Sequence, residues 1–175
     1  MADKGNDFGY SMMSWMFAVR DFFMPRRKIL AEVGIESGFK VLDFGCGPGA
    51  YVPDISEMVG TSGKVYALDM RPMAMQMVNK LAKKRGLSNL ETIQSDCATG
   101  LEDHCLDVVL LYDTFHDLLE PRKVLEELHR VLKPGGKLSF SDHHLSHDDI
   151  MTGVTGSGLF TFVEKGNKTY TFGPV

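Results

Sequence analysis

The sequence predicts a doubly wound α/β fold, a mostly parallel sheet closed by an antiparallel hairpin. Three observations carry that prediction. From residue 39 onward, short apolar runs alternate with stretches of helical periodicity. The helical stretches are long enough for right-handed crossovers, which cover both faces of a parallel sheet. The last two runs, 159–164 and 168–172, flank Lys165-Gly166-Asn167 and read as a hairpin.

Each element has its own reason. Residues 40–44 form a buried strand that runs into a glycine-rich turn, and 50–59 form a helix closed by Gly60. Residues 64–68 are the second strand. Pro72 suits the first turn of the next helix, where its missing N–H leaves no bond unmade. Ala74, Met77, Val78 and Leu81 share that helix's apolar face, and Gly86 caps its end. Residues 90–94 are the third strand and 106–112 the fourth. Pro121 opens a helix with the apolar stripe Val124, Leu125, Leu128, Val131 and Leu132. Pro134-Gly135-Gly136 stops it and leads into a fifth strand, 137–141.

The chain has 175 residues, 43% hydrophobic and 24% charged, which suits one soluble globular domain. A net charge of −4 argues against a broad nucleic-acid footprint. The basic run Pro25-Arg26-Arg27-Lys28 reads as a solvated helix start, with a phosphate contact as the alternative. Cys46, Cys97 and Cys105 have no paired spacing, so a reducing, cytoplasmic setting without disulfides is expected. No secretory signal pattern opens the chain, and no apolar stretch nears the roughly 20 residues that span a bilayer.

The first 38 residues are rich in aromatic residues and methionine. Met12, Met16, Val19 and Phe23 share one helical face, and Trp15 and Phe22 another. Three readings stand: a helix against the sheet edge, a cover over a substrate pocket, or a membrane-surface or partner helix. Trp15 also offers a dimer contact.

The chemistry concentrates after the first strand. Gly45, Gly47 and Gly49 follow it directly, allowing a tight turn and a ligand close to the backbone amides. Asp69, 20 residues after Gly49, ends the second strand, where a carboxylate accepts two ribose hydroxyls. Loop and Asp69 together point to an adenosine-type ligand and fit a dinucleotide as well. Three features separate the two. Asp43, two residues before the first glycine, suits an ammonium group and would oppose a pyrophosphate. Asp96, after the third strand, suits an adenine amino group. The turn Lys133-Pro134-Gly135-Gly136 is foreign to most dinucleotide domains.

From residue 39 to 140 the chain resembles the class I S-adenosylmethionine-dependent methyltransferases. The likeness is to the small-molecule branch that includes quinone-biosynthesis and arsenite methyltransferases. That family's first motif is acidic-x-Gly-x-Gly-x-Gly, matched by Asp43, Gly45, Gly47 and Gly49. The resemblance implies a seven-stranded Rossmann-like sheet with its last strand antiparallel. It implies S-adenosylmethionine as cofactor and S-adenosylhomocysteine as product. The backbone at Gly45 and Cys46 would hold the methionine part, Asp69 the ribose, and Met70 the adenine face. Asp96 and Cys97 would meet the adenine edge, and Leu111 and Tyr112, at the end of the fourth strand, would lie beside the methionine group. Asp43 as a turn cap and Asp96 as a helix start are the structural alternatives. Cys46 and Cys97 read as packing residues, which weighs against an arsenite acceptor.

On this reading the single domain divides into a helical cover (1–38), a cofactor-binding core (39–140), and a short linker with its closing hairpin (141–175). Methyl transfer needs positioning, and a base where the acceptor must lose a proton. The ends of the fourth and fifth strands supply Asp113, His116, Asp117, Asp142, His143, His144 and His147. His143 or His116 is the candidate base. The 143/147 spacing also suits metal ligands on one helical face with Asp142, although no metal is expected. The third reading is a wet polar rim. The acceptor is a small molecule, nucleic acid and stable membrane insertion are not expected, and the protein is a monomer or homodimer. The competing functions are an NAD-dependent dehydrogenase and a non-catalytic S-adenosylmethionine-binding protein.

Overall fold

The computed structural model describes residues 26–175. The expectations for the aromatic segment up to residue 25, including Trp15, lie outside the described residues. Helix α1 (Arg26–Val33) leads into β1 (Lys40–Phe44), α2 (Val52–Val59), β2 (Lys64–Asp69), α3 (Pro72–Arg85) and β3 (Leu90–Gln94). The chain then crosses back to β4 (Leu106–Tyr112), a 3-10 turn at Phe115–Asp117, α4 (Pro121–Val131) and β5 (Leu132–Ser141). It finishes with α5 (His147–Thr155), β6 (Phe160–Lys165) and β7 (Tyr170–Pro174).

The sheet has seven strands in the order β3-β2-β1-β4-β5-β7-β6. Pairings from β3 to β5 are parallel, and β7 is antiparallel to both neighbours. The expected sheet and its antiparallel closure are both present. Strand order reverses between β1 and β4, so the connections leaving these strands part to opposite sides and open a crevice at their carboxyl ends.

Alternation along the strands fills two cores. Val41, Val65, Val108 and Leu110 pack with Leu30 and Val33 of α1 and Ile55 and Val59 of α2. Leu42, Phe44, Leu68, Val109 and Leu111 pack with the α4 stripe Val124, Leu125, Leu128 and Val131. Each fully buried side chain of this size contributes about 1.5–3 kcal/mol. α3 adds Ala74, Met75 and Val78 to a smaller cluster with Ala67.

Four expectations need correction. The helix placed at 50–59 begins at Val52, after a turn through Ala50 and Tyr51. Leu132, read as the last residue of the α4 stripe, has extended backbone (φ −70°, ψ 136°) and opens β5. Leu106 faces Leu132 while Val108 faces Lys137, so Pro134-Gly135-Gly136 is a bulge inside the strand pairing. The hairpin strands sit at Phe160–Lys165 and Tyr170–Pro174, slightly later than predicted. The linker also contains the unpredicted helix α5, whose start is fixed by a capping box. Ser146 Oγ accepts from the Asp149 amide at 3.2 Å, and Asp149 Oδ2 accepts from the Ser146 amide at 3.2 Å.

Arg26, Arg27 and Lys28 of the basic run lie in α1, the first helix among the described residues. Arg26 donates to Ala50 O at 2.6 Å and Arg27 pairs with Glu57 at 2.9 Å. α1 is tied to the far end of the chain by one side chain. Glu32 Oε2 accepts from the Lys168 amide, the Thr169 amide and Thr169 Oγ1 at 2.8–3.1 Å. Among the described residues, no helix is long and apolar enough to cross a membrane.

Candidate active site

A pocket of about 350 Å³ opens at the carboxyl ends of β1, β2, β4 and β5. That volume is within the range of small-molecule sites. Asp43, Gly45, Cys46, Gly47, Asp69, Met70 and Asp96 line it, together with His116 and His143. Gly49, Cys97 and Leu111 stand behind its wall. Leu111 is a core residue of β4, and the next residue, Tyr112, takes the place at the pocket. Cys97 packs against the core below. Gly49 lets α3 approach the loop: a Cβ there would lie 3.0 Å from Val78 Cγ2.

The glycine loop is held by its own amides. Gly45 N–H and Cys46 N–H both donate to Leu68 O, at 2.8 and 2.9 Å. Gly47 N–H donates to Asp69 Oδ2 at 2.9 Å, and Asp69 Oδ1 accepts from the Arg71 amide at 2.8 Å. Three amides that the sequence offered to a ligand therefore bind inside the protein. That arrangement is ill suited to a pyrophosphate, which needs outward N–H groups. Gly45 has φ +76°, and a Cβ there would run into Thr114, at 2.6 Å from its Cγ2. The first glycine thus serves a close approach between the β1 and β4 loops.

The electrostatics favour a cation. Five aspartates (Asp43, Asp69, Asp96, Asp113 and Asp117) and one arginine, Arg71, line the pocket. Asp43 is 3% exposed, and its Oδ2 finds no hydrogen-bond partner among the described residues. Burial, with the Asp69 charge beside it, pushes its carboxyl up to about 7, partly offset by Arg26. A buried carboxylate without a partner is costly, and an ammonium or sulfonium group nearby offsets that cost. Met70, 62% exposed, lies at the mouth beside Asp69, where an aromatic base can rest on it. Burial pushes the Cys46 thiol well above its ordinary range, as suits a packing residue.

The opposite half of the pocket is built by the loops after β4 and β5. Asp142 Oδ2 accepts from His116 twice, from its backbone amide at 3.2 Å and from Nδ1 at 2.9 Å. Asp113 Oδ1 accepts from His143 in the same way, at 3.2 and 2.7 Å. Each loop thus gives a carboxylate and receives a histidine. The His144 ring lies between, with centroids 4.2 Å from His116 and 3.9 Å from His143. Asp113 holds a left-handed φ of +49°, a strained backbone for an aspartate.

The sequence spacing sets His143 and His147 on one helical face. The structure separates them: His143 and His144 sit in the turn before α5, and His147 is the helix's first residue. The His147 ring stacks on Tyr170, its Nδ1 3.2 Å from the Tyr170 hydroxyl. Asp113, Asp142 and His143 bring one ligand atom each within 4.8 Å of one another. Asp113 Oδ1 is already engaged by His143, and both oxygens of Asp142 by amides or the His116 ring. Tyr51, Thr114 and Leu118 also line the pocket without having been singled out in the sequence. Tyr51 meets Tyr112 and Thr114 closes on Gly45, contacts across loops that no local spacing reveals.

Known proteins give the same picture. A family model described as a methyltransferase domain matches residues 35–168. A demethylmenaquinone methyltransferase of Lactococcus lactis is 32% identical over 130 residues, which is 74% of this chain and 52% of that protein. A ubiquinone/menaquinone biosynthesis C-methyltransferase of Francisella philomiragia is 28% identical, again over 74% of this chain and 52% of its own length. The chain spans about half the length of the curated relatives it matches. A solved SAM-dependent methyltransferase from Aquifex aeolicus superposes with a TM-score of 0.76 at 32% identity, covering 86% of this chain and 87% of that one. An arsenic(III) S-adenosylmethionine methyltransferase from Chlamydomonas reinhardtii shares the fold, with a TM-score of 0.63 at 24% identity over 80% of this chain and 63% of its own. With its sheet order, its glycine loop and a family match over residues 35–168, the chain belongs to the methyltransferase-domain family.

Proposed function

We propose that this chain transfers a methyl group from S-adenosylmethionine to a small hydroxylated aromatic acceptor, such as a reduced quinone, leaving S-adenosylhomocysteine. One observation carries the cofactor reading. The glycine loop turns three amides inward and sets behind them the Asp43 carboxylate, whose Oδ2 has no hydrogen-bond partner among the described residues. A cationic ligand fits that wall, and a dinucleotide pyrophosphate does not. Asp43, with the loop at Gly45, Cys46 and Gly47, would face the methionine part. Asp69 keeps a free lone pair on each oxygen for the ribose, while Met70 and Asp96 flank the adenine.

When bound, the cofactor supplies a methyl group on a positively charged sulfur that departs as a neutral thioether. The protein's part is alignment. Tyr112 and Thr114 line the pocket with both halves, and Tyr51 packs edge-on against Tyr112 at 5.2 Å. The aromatic acceptor is suggested by the quinone substrates in the names of the relatives. A non-catalytic binder is disfavoured by the constructed histidine end of the pocket. The protein acts in the cytoplasm as a monomer or homodimer, without nucleic acid.

Calorimetric titration with S-adenosylmethionine, S-adenosylhomocysteine and NAD tests the cofactor. Binding of the first two without the third is expected, and tight binding of NAD alone would overturn the assignment. Transfer of labelled methyl to 1,4-naphthohydroquinone, phenols, amines and arsenite then sorts the acceptors, with the hydroquinone expected to lead.

A further inference from the structure

The two carboxylate–histidine pairs at the acceptor end are not equivalent. Asp142 has a fully buried side chain, and the His116 side chain is 22% exposed. The His143 side chain is 65% exposed and its partner Asp113 33%. The His116 ring is fixed at two points, since Asp142 Oδ2 accepts from both its amide and its Nδ1. The second oxygen of Asp142 is held by the His144 amide at 3.0 Å, so the carboxylate has little freedom to turn. With Nδ1 carrying the proton toward Asp142, Nε2 keeps its lone pair. Its nearest charged neighbour among the described residues is Asp117 Oδ1, at 3.6 Å, beyond hydrogen-bond range.

We infer that His116 is the base that takes the proton from the acceptor, with Asp142 as its positioning residue, and that the acceptor carries an acidic hydroxyl. This rests on the methyl-transfer reading above. His116 Nε2 accepts the hydroxyl proton. The acceptor's oxygen, or the ring carbon conjugated with it, forms the new bond to the methyl carbon. The C–S bond breaks with its electron pair left on sulfur. A ring-carbon product regains its aromatic form by moving its own ring proton to oxygen, so one proton leaves in either case. The imidazolium faces the Asp142 carboxylate until the proton passes to water.

The charges around the ring fit that role. The hydrogen bond to Asp142 raises the His116 pKa above its ordinary value, helped by the Asp142, Asp117 and Asp113 charges against a lesser effect of burial. Burial disfavours the Asp142 charge, but hydrogen bonds from the His116 ring and from the His144 and His116 amides outweigh it and hold the pKa below the ordinary value. His143 and His144 face the ring from the β5 loop. A base of this strength matches a phenolic or enolic hydroxyl far better than an alkyl alcohol.

The test uses the whole chain and two variants. His116→Asn keeps a donor toward Asp142 and removes Nε2; Asp142→Asn removes the charge. With 1,4-naphthohydroquinone, turnover by His116→Asn should fall on the order of a hundredfold, with cofactor affinity by calorimetry within twofold. The acidic limb of the pH profile should vanish in His116→Asn and move to lower pH in Asp142→Asn. Nitrogen-15 NMR of the unaltered protein should find Nδ1 protonated in the neutral ring and His116 titrating above the ordinary histidine range. A limb that persists in His116→Asn, or a ring with the proton on Nε2, would overturn the inference. Failure of the unaltered chain to bind S-adenosylmethionine would instead bring down the functional reading itself.

Discussion

The pocket's two halves are made of different materials. The half beside β1 and β2 is built from main chain: a glycine turn whose amides bind Leu68 O and Asp69, with one buried carboxylate behind it. The half beside β4 and β5 is built from side chains that reach across to each other, His116 to Asp142 and His143 to Asp113. Main-chain construction fixes position and resists change, because altering it disturbs the fold. Side-chain construction can be retuned one residue at a time.

The largest effect expected from this contrast is at Gly45. Gly45→Ala needs both a left-handed backbone and the space of the Thr114 side chain. It should destabilise the protein by about 2–4 kcal/mol in denaturant titration and weaken cofactor binding beyond calorimetric detection. A variant that folds and binds normally would break the claim that this half is rigid.

Next is the pH response of Asp43. Its folded pKa, about 7, lies above the ordinary 3.8, so the folded protein holds that proton more tightly than the unfolded chain. The resulting stability is complete below pH 3.8, is lost as pH rises to about 7, and is flat above. Its full span is about 4 kcal/mol. Asp43→Asn should flatten this component in ligand-free protein and weaken S-adenosylmethionine binding at pH 8 at least about tenfold. An unchanged profile, measured as denaturation midpoint against pH, would mean the carboxylate finds a partner.

Asp69→Asn should cost about 1–3 kcal/mol, because two backbone amides lose a charged acceptor. It should lower cofactor affinity more than turnover at saturation. Asp113→Gly sharpens the contrast from the other side. It relieves the φ of +49° and removes the support of His143. Stability should change by less than about 1 kcal/mol while turnover falls and cofactor affinity holds. The smallest effect belongs to His147→Phe, which keeps the stack on Tyr170. It should cost about 0.5 kcal/mol and leave turnover unchanged, as should EDTA treatment.

The same contrast explains what the sequence made legible. Gly45, Gly47 and Gly49 follow a strand at short spacing, and left-handed backbone writes itself into residue type. Asp43 and Asp69 end neighbouring strands, so their position follows from the strand pattern. The α4 stripe was equally readable because four of its positions are buried on one face. The inward turn of the loop amides was not legible, since nothing in the glycines says which acceptor the amides meet. The crossed pairs were not legible either, because 26 and 30 residues separate their members. His147 was misplaced for a related reason: a spacing of four implies a shared helical face only inside a helix, and α5 begins at His147 itself. The Ser146–Asp149 capping box would have located that start.

One carboxylate has a consequence for how the chain is made. Glu32 is synthesised before its three donors, which lie at residues 168 and 169. This contact, among those of greatest sequence separation, cannot form until residue 169 has left the ribosome. The edge pair β6–β7 therefore docks late, and α1 gains its anchor last. A chain stopped short of residue 168 would carry a formed glycine loop beside a β5 edge left open to other strands, a species prone to aggregation.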